Sequence, residues 1–256
     1  MNMTFVRKSL VLLCIFIFPS RILPPILRFF GHCVPSRISI GFSLIWADKI
    51  ALGQGIEVGH FNLINARKIL LKNDAKIGRL NVVYGPLDLH LSCKACLGNS
   101  NKIVRAKVGS VTVGVSVLRL GYLTKITSKH YIDCTCSVVF KDYSILAGIG
   151  SQIWSHGYVH EISGPGRYRI DGRVYIGHNC YVGSMSIINS GIRICDGVII
   201  GSGAVISKNI SEPGLYVSAP VRKLPRPEDP DSRSNLEIVN GNLLCERVYK
   251  RVDKSI

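Results

Sequence analysis

The sequence predicts an all-β protein built as a parallel β-helix of hexapeptide repeats. An aliphatic residue opens seven consecutive hexads without a slip: Ile170, Ile176, Val182, Ile188, Ile194, Ile200 and Ile206. A step of six residues fits neither the 3.6-residue period of an α-helix nor the two-residue period of a simple strand, but it is the period of a hexapeptide coil. The repeat by itself therefore favours this fold class over helix-rich folds.

Two further positions of each hexad support the prediction. The second position holds mostly residues that tolerate the tight or left-handed backbone of a corner: Asp171, Gly177, Gly183, Asn189, Cys195, Gly201 and Ser207. The fifth position is small or β-branched, and we expect it to face inward: Val174, Cys180, Ser186, Ile192, Val198, Ala204 and Ile210. The 25 glycines of the 256-residue chain also suit a fold with many corners.

This pattern resembles that of the hexapeptide-repeat acyltransferases, and residues 151–210 are most similar to the members that O-acetylate bacterial surface polysaccharides. The resemblance implies a left-handed coil with three hexads in each triangular turn. Because parallel crossovers otherwise favour the right hand, the handedness comes from the resemblance alone. The resemblance also implies acetyl-CoA as co-substrate and a homotrimer, whose side-by-side packing would place ligand clefts between subunits.

Residues 1–37 form a basic, apolar segment that we expect to be helical. Residues 1–47 contain five basic residues and no acidic residue, and the apolar runs 10–18 and 22–30 are too short to span a bilayer. Two interpretations stay open. The segment is either an interfacial helix or helix pair on anionic headgroups, or a helix that caps the open end of the coil.

Residues 38–212 carry the coil, with degraded repeats from residue 38 and a clean frame from residue 120. At a strand spacing of about 4.8 Å, about eight or nine coils would make a prism about 40 Å long. The hexads lose their character at 153–169, where we expect a loop that projects from the prism. Residues 213–256 form a proline-rich extension, and the loosely helical spacing of apolar residues at 235–252 predicts a short closing helix.

Charge and cysteine content narrow the partners and the compartment. The formal net charge is +16, which implies contact with anions such as phosphates, a membrane surface or acidic glycans. No nucleic-acid-binding motif is present, so we expect no nucleic-acid partner. Nine cysteines without an evident cleavable signal favour the cytoplasm. The interfacial interpretation of residues 1–37 would place the protein peripherally on the inner face of the membrane. We expect the pairs Cys93/Cys96 and Cys134/Cys136 to be buried or turn residues rather than a zinc site, with Cys136 facing inward.

The loop at 153–169 concentrates candidate catalytic residues. Acetyl transfer from a thioester to a sugar hydroxyl needs a base for the hydroxyl proton, and a neutral histidine supplies one near neutral pH. The resemblance implies this role for His156, in the run Ser-Gln-Ile-Trp-Ser-His at 151–156. His160 is the reserve base, and Asp133 and Glu161 are candidate carboxylates for orienting the imidazole.

Two further sets complete the predicted site. The candidate sugar-binding residues lie in the loop: Trp154, Glu161 and Arg167. The resemblance implies neutral backbone contacts to acetyl-CoA from Gly183, Gly201 and Ala204, and phosphate contacts from Lys208, Arg222 and Lys223. The family commonly has Asn-Pro-Ala-Lys after the coil, whereas this chain has Ser-Ala-Pro-Val-Arg-Lys at 218–223, so the phosphate geometry differs in detail.

These features predict an acetyl-CoA-dependent O-acetyltransferase that acts on a sugar hydroxyl of a bacterial surface glycan, of capsule or lipopolysaccharide type. The predicted mechanism is direct acetyl transfer with a histidine general base and no metal. Three alternatives stay open. They are an amino-sugar N-acetyltransferase, a metalloenzyme like the γ carbonic anhydrases with zinc on His130, His156 and His160, and a β-helix scaffold without catalytic activity.

Overall fold

The computed structural model describes residues 3–107, 114–160, 162–163, 165, 167–218, 222–224, 236–240 and 248–251. Two helices, α1 (Met3–Ile17) and α2 (Leu23–Phe29), precede a long coil of parallel strands. The predicted all-β parallel β-helix is confirmed, because successive strands along the chain pair with strands of the next turn rather than with their chain neighbours.

The coil has three faces, which the chain visits in the order first, second, third. The first face is a sheet of β1 (Ser39–Ile40), β3 (Glu57–Val58), β5 (Lys76–Ile77), β8 (Cys96–Leu97), β11 (Lys125–Ile126), β14 (Ile145–Leu146), β19 (Tyr181–Val182), β22 (Val198–Ile200) and β24 (Gly214–Val217), with β25 (Arg222–Leu224) antiparallel at its end. About eight turns therefore lie between the first and last parallel strands of this face.

The second and third faces form one sheet, because two long strands, β2 (Leu44–Leu52) and β4 (Leu63–Leu71), run along both. The second face continues with β6 (Val82–Tyr84), β9 (Lys102–Val104), β12 (Tyr131–Asp133), β15 (Gln152–Ile153), β20 (Ile187–Ile188) and β23 (Val205–Ile206). The third face continues with β7 (Leu87–Leu91), β10 (Ser116–Leu120), β13 (Val138–Phe140), β18 (Val174–Ile176) and β21 (Arg193–Ile194). We call the corner between the first and second faces the first corner, and the corner between the second and third faces the second corner.

The interior of the coil is filled by the side chains that the hexad pattern selects. The aliphatic residues that open the hexads from Ile176 to Ile206 are at most 2% exposed, and all seven fifth-position residues are buried. In-register stacking explains this. Equivalent positions repeat from turn to turn, so that Leu146 pairs with Val182 and Val182 with Ile200, and each turn covers the apolar side chains of the one before.

A column of polar side chains runs down the first corner and ties the turns together. Each residue of the column comes directly before a second-face strand: Asn62, Asn81, Asn101, His130, Ser151 and Ser186. From Asn81 onward, the N–H of each one donates to the side chain of its predecessor, from 2.9 Å at Asn101 to 3.3 Å at Ser186. The column therefore satisfies backbone donors that the turning chain would otherwise leave buried and unpaired.

The two helices cover the N-terminal end of the coil. The side chains of Val11, Ile15, Leu23 and Leu27 are buried and belong to the same hydrophobic core as the coil interior. Ser20, between the helices, bonds through its hydroxyl to both the N–H and the carbonyl of Ile40. The segment thus seals the exposed end of the core.

Three local predictions are wrong. Ile170 does not open a hexad, because it is exposed on a projecting hairpin, and the regular repeat starts only after that hairpin. The predicted closing helix at 235–252 is replaced by antiparallel strands β26 (Leu236–Asn240) and β27 (Val248–Arg251). Asn240-Gly241 and the β-branched residues around it favour a hairpin over a helix. Of the two cysteines after β12, Cys134 is the buried one and Cys136 is half-buried.

Candidate active site

The candidate site lies at the second corner, where a β-hairpin leaves the coil. Its strands are β16 (His156–His160) and β17 (Arg167–Asp171), with His156 opposite Asp171 and His160 opposite Arg167. The coil resumes where the N–H of Gly172 donates to the carbonyl of Ser155 at 2.9 Å. Tyr168 and Ile170 alternate with charged residues along β17, and β16 contains Tyr158 and Val159, which favours a two-stranded ribbon over a helix here.

The central feature is a contact between His156 and Asp133. Nδ1 of His156 lies 2.7 Å from Oδ2 of Asp133. The two residues are 23 apart in sequence, but β12 pairs directly with β15, so the end of one second-face strand lies beside the end of the next. The imidazole is partly open to solvent, with 27% of the side chain exposed, whereas the Asp133 side chain is 4% exposed.

Asp133 is held by a set of short hydrogen bonds besides the one to His156. Ser155 donates to Oδ2 through its N–H at 2.9 Å and its hydroxyl at 2.7 Å. Thr135 donates to Oδ1 through its N–H at 3.1 Å and its hydroxyl at 2.8 Å. The N–H of Cys136 in turn donates to Oγ of Ser155 at 2.8 Å, so the orientation of that hydroxyl is also fixed.

This environment keeps Asp133 charged. Burial by itself would raise the pKa of the carboxyl, but the hydrogen bonds from Ser155, His156 and Thr135 outweigh it and leave the pKa below its ordinary value. A carboxylate that accepts from Nδ1 assigns the proton of a neutral imidazole to Nδ1 and leaves the lone pair on Nε2. The arrangement can therefore serve as a base at Nε2 and can stabilise the imidazolium that results.

An aromatic surface lies on the second face beside this corner. The rings of Tyr131 and Trp154 are 5.0 Å apart, and Nε1 of Trp154 donates to Oε1 of Gln152 at 3.0 Å. Lys102, one turn earlier, has its ammonium 5.8 Å from the centre of the Tyr131 ring. On the other side of the pair, the ring of Tyr158 meets that of His156 edge to face at 6.1 Å.

Of the other predicted loop residues with a described side chain, His160 is not brought to this pair. His160 is exposed and lies four residues further along β16, which in an extended strand is about 13 Å from His156. The side chain of Arg167 and all of Glu161 lie outside the described residues. At the base of the hairpin, Arg169 and Asp171 form a two-armed ion pair with both contacts at 2.6 Å, which the sequence did not suggest.

The predicted acetyl-CoA residues are spread along the C-terminal turns. The N–H groups of Gly183 and Gly201 already donate to the carbonyls of Ile200 and Tyr216, each at 2.8 Å, so neither N–H is available to donate to a cofactor. A Cβ at Gly183 would lie 2.6 Å from the nitrogen of Ser202, which gives this glycine a structural reason instead. Ala204 is buried.

The basic candidates are at the surface or outside the described side chains. Lys208 is exposed just after β23. Lys223 is exposed on β25, where its ammonium contacts the carboxylate of Glu212, and the Glu212 hydrogen bond raises its pKa. The side chain of Arg222 lies outside the described residues.

The geometry does not support the three-histidine zinc alternative. His130 is buried in the polar column of the first corner, with Nε2 2.9 Å from Oγ1 of Thr127 and Nδ1 accepting from the N–H of Ser151 at 3.2 Å. Burial lowers its pKa to about 4. His156 lies at a different corner, and in the described parts of the chain no group of three or more histidine, cysteine or acidic residues is placed to hold a metal ion.

Comparison with known proteins identifies the repeat. A family profile described as Bacterial transferase hexapeptide (six repeats) matches residues 173–208. No protein with curated function shows significant sequence similarity to the chain. Among solved structures, the polySia specific acetyltransferase NeuO superposes with a TM-score of 0.59 at 16% identity, covering 77% of this chain and 91% of that chain.

Two further solved structures superpose less well. The hexapeptide-repeat acetyltransferase VCA0836 from Vibrio cholerae O1 biovar eltor, complexed with acetyl coenzyme A, is 17% identical over 55% of this chain and 72% of that chain, with a TM-score of 0.44. The N-acyltransferase AntD from Bacillus cereus is 13% identical over 70% of this chain and 83% of that chain, with a TM-score of 0.41. The profile match confirms the hexapeptide repeat that the sequence predicts, and the superposition on NeuO shows that this chain shares the parallel β-helix fold of that protein.

Proposed function

We propose that this protein is an acetyl-CoA-dependent O-acetyltransferase that modifies a sugar hydroxyl of a bacterial surface glycan, of capsule or lipopolysaccharide type. The observation that carries the proposal is the 2.7 Å contact between His156 and the buried carboxylate of Asp133 at an open corner. The bacterial transferase repeat supports an acyl-transfer scaffold, and NeuO, whose fold is shared, is described as a polySia specific acetyltransferase, which supports a glycan acceptor.

In the proposed reaction, His156 acts as the general base. Nε2 takes the proton of the sugar hydroxyl as the oxygen attacks the thioester carbonyl, and the new C–O bond forms while the carbonyl electrons move to oxygen. The intermediate then expels the thiolate of CoA. The imidazolium gives this thiolate the proton that Nε2 took from the sugar hydroxyl. Asp133 holds Nδ1–H and stabilises the transient imidazolium, a role that needs its negative charge.

The acceptor and the co-substrate approach this pair from the open sides of the corner. We assign sugar stacking to the ring of Trp154 together with Tyr131, with Lys102 beside them for an acidic sugar, and we keep Arg167 and Glu161 as hairpin contacts. Lys208 and Lys223, with Arg222, are the proposed phosphate contacts of acetyl-CoA. Lys223 would exchange its present partner Glu212 for a phosphate.

The homotrimer and the cytoplasmic setting belong to the same proposal. Apolar side chains point outward along the second face, among them Leu44, Leu63 and Val205, which are 37–49% exposed. Three prisms packed side by side through this face would cover these apolar side chains and would place the rings of Tyr131 and Trp154 beside a cleft between subunits. A thioester donor and unpaired cysteines are compatible with a reducing compartment.

The proposal is tested by calorimetric titration with acetyl-CoA and CoA, followed by an acceptor screen that begins with oligosialic acid. We expect saturable binding near one site per subunit and a base-labile acetyl ester on the acceptor. A base-stable amide product would indicate N-acetylation instead. His156→Ala should abolish acetyl transfer while acetyl-CoA binding is retained. His160→Ala, on the same strand, is the matched control and should retain acetyl transfer. Folded protein that binds neither acetyl-CoA nor CoA would refute the proposal.

A further inference from the structure

The helix α1 has the reverse of the amphipathicity expected for a surface helix that covers a core. Its two basic residues turn back to the coil, where Arg7 donates to the carbonyl of Asp48 at 3.0 Å and Lys8 contacts the Asp48 carboxylate. Its inner side is made by Val11 and Ile15, which are buried. The basic side chains, which would normally lie on the solvent-facing side of such a helix, thus contact the coil instead.

The outer side of the two helices is apolar and exposed. We call it the outer patch; its members are 39–85% exposed: Phe5, Leu10, Leu13, Phe16, Ile17, Phe18, Ile22 and Phe29. At 100° per residue, the five that belong to α1 fall within an arc of about 140°, opposite the buried side chains. So many large apolar side chains in one patch mark an interaction surface rather than chance exposure.

The charges around the outer patch indicate what covers it. Arg21 lies in the connection between the helices, beside the exposed Phe18 and Ile22, and Arg37 follows on the same segment. Arg28, in contrast, donates through Nε to the carbonyl of Val34 at 2.9 Å. Residues 1–47 contain no acidic residue. A second copy of the chain related by twofold symmetry would bring the same basic rim against itself, which is repulsive. An anionic lipid surface offers both an apolar interior and negative headgroups.

The dimensions fit a patch that lies on a bilayer rather than through it. Among the described residues, no helix is long and apolar enough to cross a membrane. The 15 residues of α1 span about 22 Å, short of the hydrocarbon core of about 30 Å, and prolines at 19, 24 and 25 interrupt any longer helix. Interfacial helices bury one apolar side to the level of the acyl boundary and keep basic residues among the headgroups.

We propose that the outer patch binds the surface of an anionic bilayer and holds the prism with its N-terminal end toward the lipid. Four strand steps separate β2 from β12 on the second face, which places Asp133 about 20 Å from the capped end. The helix layer between β2 and the lipid adds about 10 Å. If the proposed acetyltransferase function holds, on which this consequence rests, the site faces units of a lipid-linked glycan that lie about 30 Å from the membrane rather than the unit next to the lipid.

The test is co-sedimentation of the full chain with vesicles of phosphatidylcholine alone and with added phosphatidylglycerol. We expect binding to the anionic vesicles only. Leu13→Ser/Phe16→Ser should weaken it at least about tenfold, because each side chain loses its burial in the lipid. Arg21→Gln should weaken it about fivefold. The matched control is Tyr143→Ser/Ile149→Ser, which changes two side chains of similar exposure on the coil and should bind as the wild type does.

Each other outcome overturns the proposal. Equal binding by the outer-patch variant and the control would show that the patch is not the contact, and equal binding to neutral and anionic vesicles would exclude the role of the basic rim. Self-association that the outer-patch variant loses, without vesicle binding by the wild type, would assign the patch to a second copy. Acetyl-CoA titration of the same variants is independent, so loss of vesicle binding with unchanged acetyl-CoA binding separates this proposal from the proposed function.

Discussion

Replacing Asp133 by asparagine tests whether the carboxylate contributes a charge or only a shape. The two side chains have nearly the same volume, so the corner keeps its packing. The carboxylate, however, accepts from five donors, one from His156 and two each from Ser155 and Thr135. In Asp133→Asn one oxygen becomes an NH2 group, which has no lone pair for the donors that face it.

The size of the effect follows from which oxygen is replaced. Oδ2 accepts from Nδ1 of His156 and twice from Ser155, so an NH2 group there would face three donors, whereas at Oδ1 it would face the two of Thr135. The amide therefore turns its NH2 toward Thr135, and the imidazole keeps a neutral acceptor without charge. We expect the transfer rate to fall about 10²- to 10⁴-fold, as when a base loses a carboxylate partner, and the unfolding free energy to fall by about 1–3 kcal/mol.

The assay compares initial rates of acetyl transfer at saturating acetyl-CoA with the binding constant for acetyl-CoA from calorimetry. The expected result is a lower kcat with acetyl-CoA affinity unchanged, because Asp133 lies on β12, three strand steps before β23, and the proposed phosphate residues follow β23 in the chain. A kcat within about threefold of the wild type would refute the role of the charge, since general-base catalysis contributes far more than that. Thermal unfolding of the same variant shows whether a loss of rate reflects a loss of fold.

Three further measurements probe the described contacts. Ser155→Ala removes a donor to Asp133 and the acceptor for Cys136 N–H, so it should cost about 1–3 kcal/mol of stability while kcat falls less than in Asp133→Asn, because the charge remains. Phe140→Ala, at a fully buried position, should cost about 3–5 kcal/mol in denaturant unfolding. Because the pKa of Asp133 is lowered from 3.8, its contribution to stability is present above that pH and is lost as the pH falls through the lower folded-state value. On acid titration, the unfolding free energies of the wild type and of Asp133→Asn should therefore converge.

The sequence predicts the coil well because every turn needs an apolar side chain at the same inward-facing positions. A residue such as Val182 is covered by Ile200 in the next turn and covers Leu146 in the previous one, so a single hexad frame encodes both contacts. The exceptions are the places where the chain leaves the coil. Ile170 satisfies the frame in sequence, but the hairpin that began at His156 has not yet returned, and nothing in the period reveals the length of a hairpin.

The site is only partly predictable for a related reason. Asp133 and His156 were both candidates, and what the sequence lacks is the register that places β12 beside β15. Thr135 was missed although an aspartate two residues before a threonine is a common local hydrogen-bonded turn. His130 was considered as a metal ligand, whereas its position directly before a strand, like Asn81 and Asn101, marks it as a member of the polar column.

The same architecture explains why catalytic polar groups gather at the second corner. The interior of each turn is aliphatic and closed by the next turn, so a charged carboxylate inside it would have no partner and would cost several kcal/mol. At the second corner the hairpin interrupts the stack, and the backbone that opens there supplies the N–H groups of Ser155 and Thr135 that stabilise Asp133. The buried charge of Asp133 beside the solvent-accessible imidazole of His156 therefore depends on the break in the repeat. This dependence places the candidate base at the point where the hexad pattern fails rather than where it is most regular.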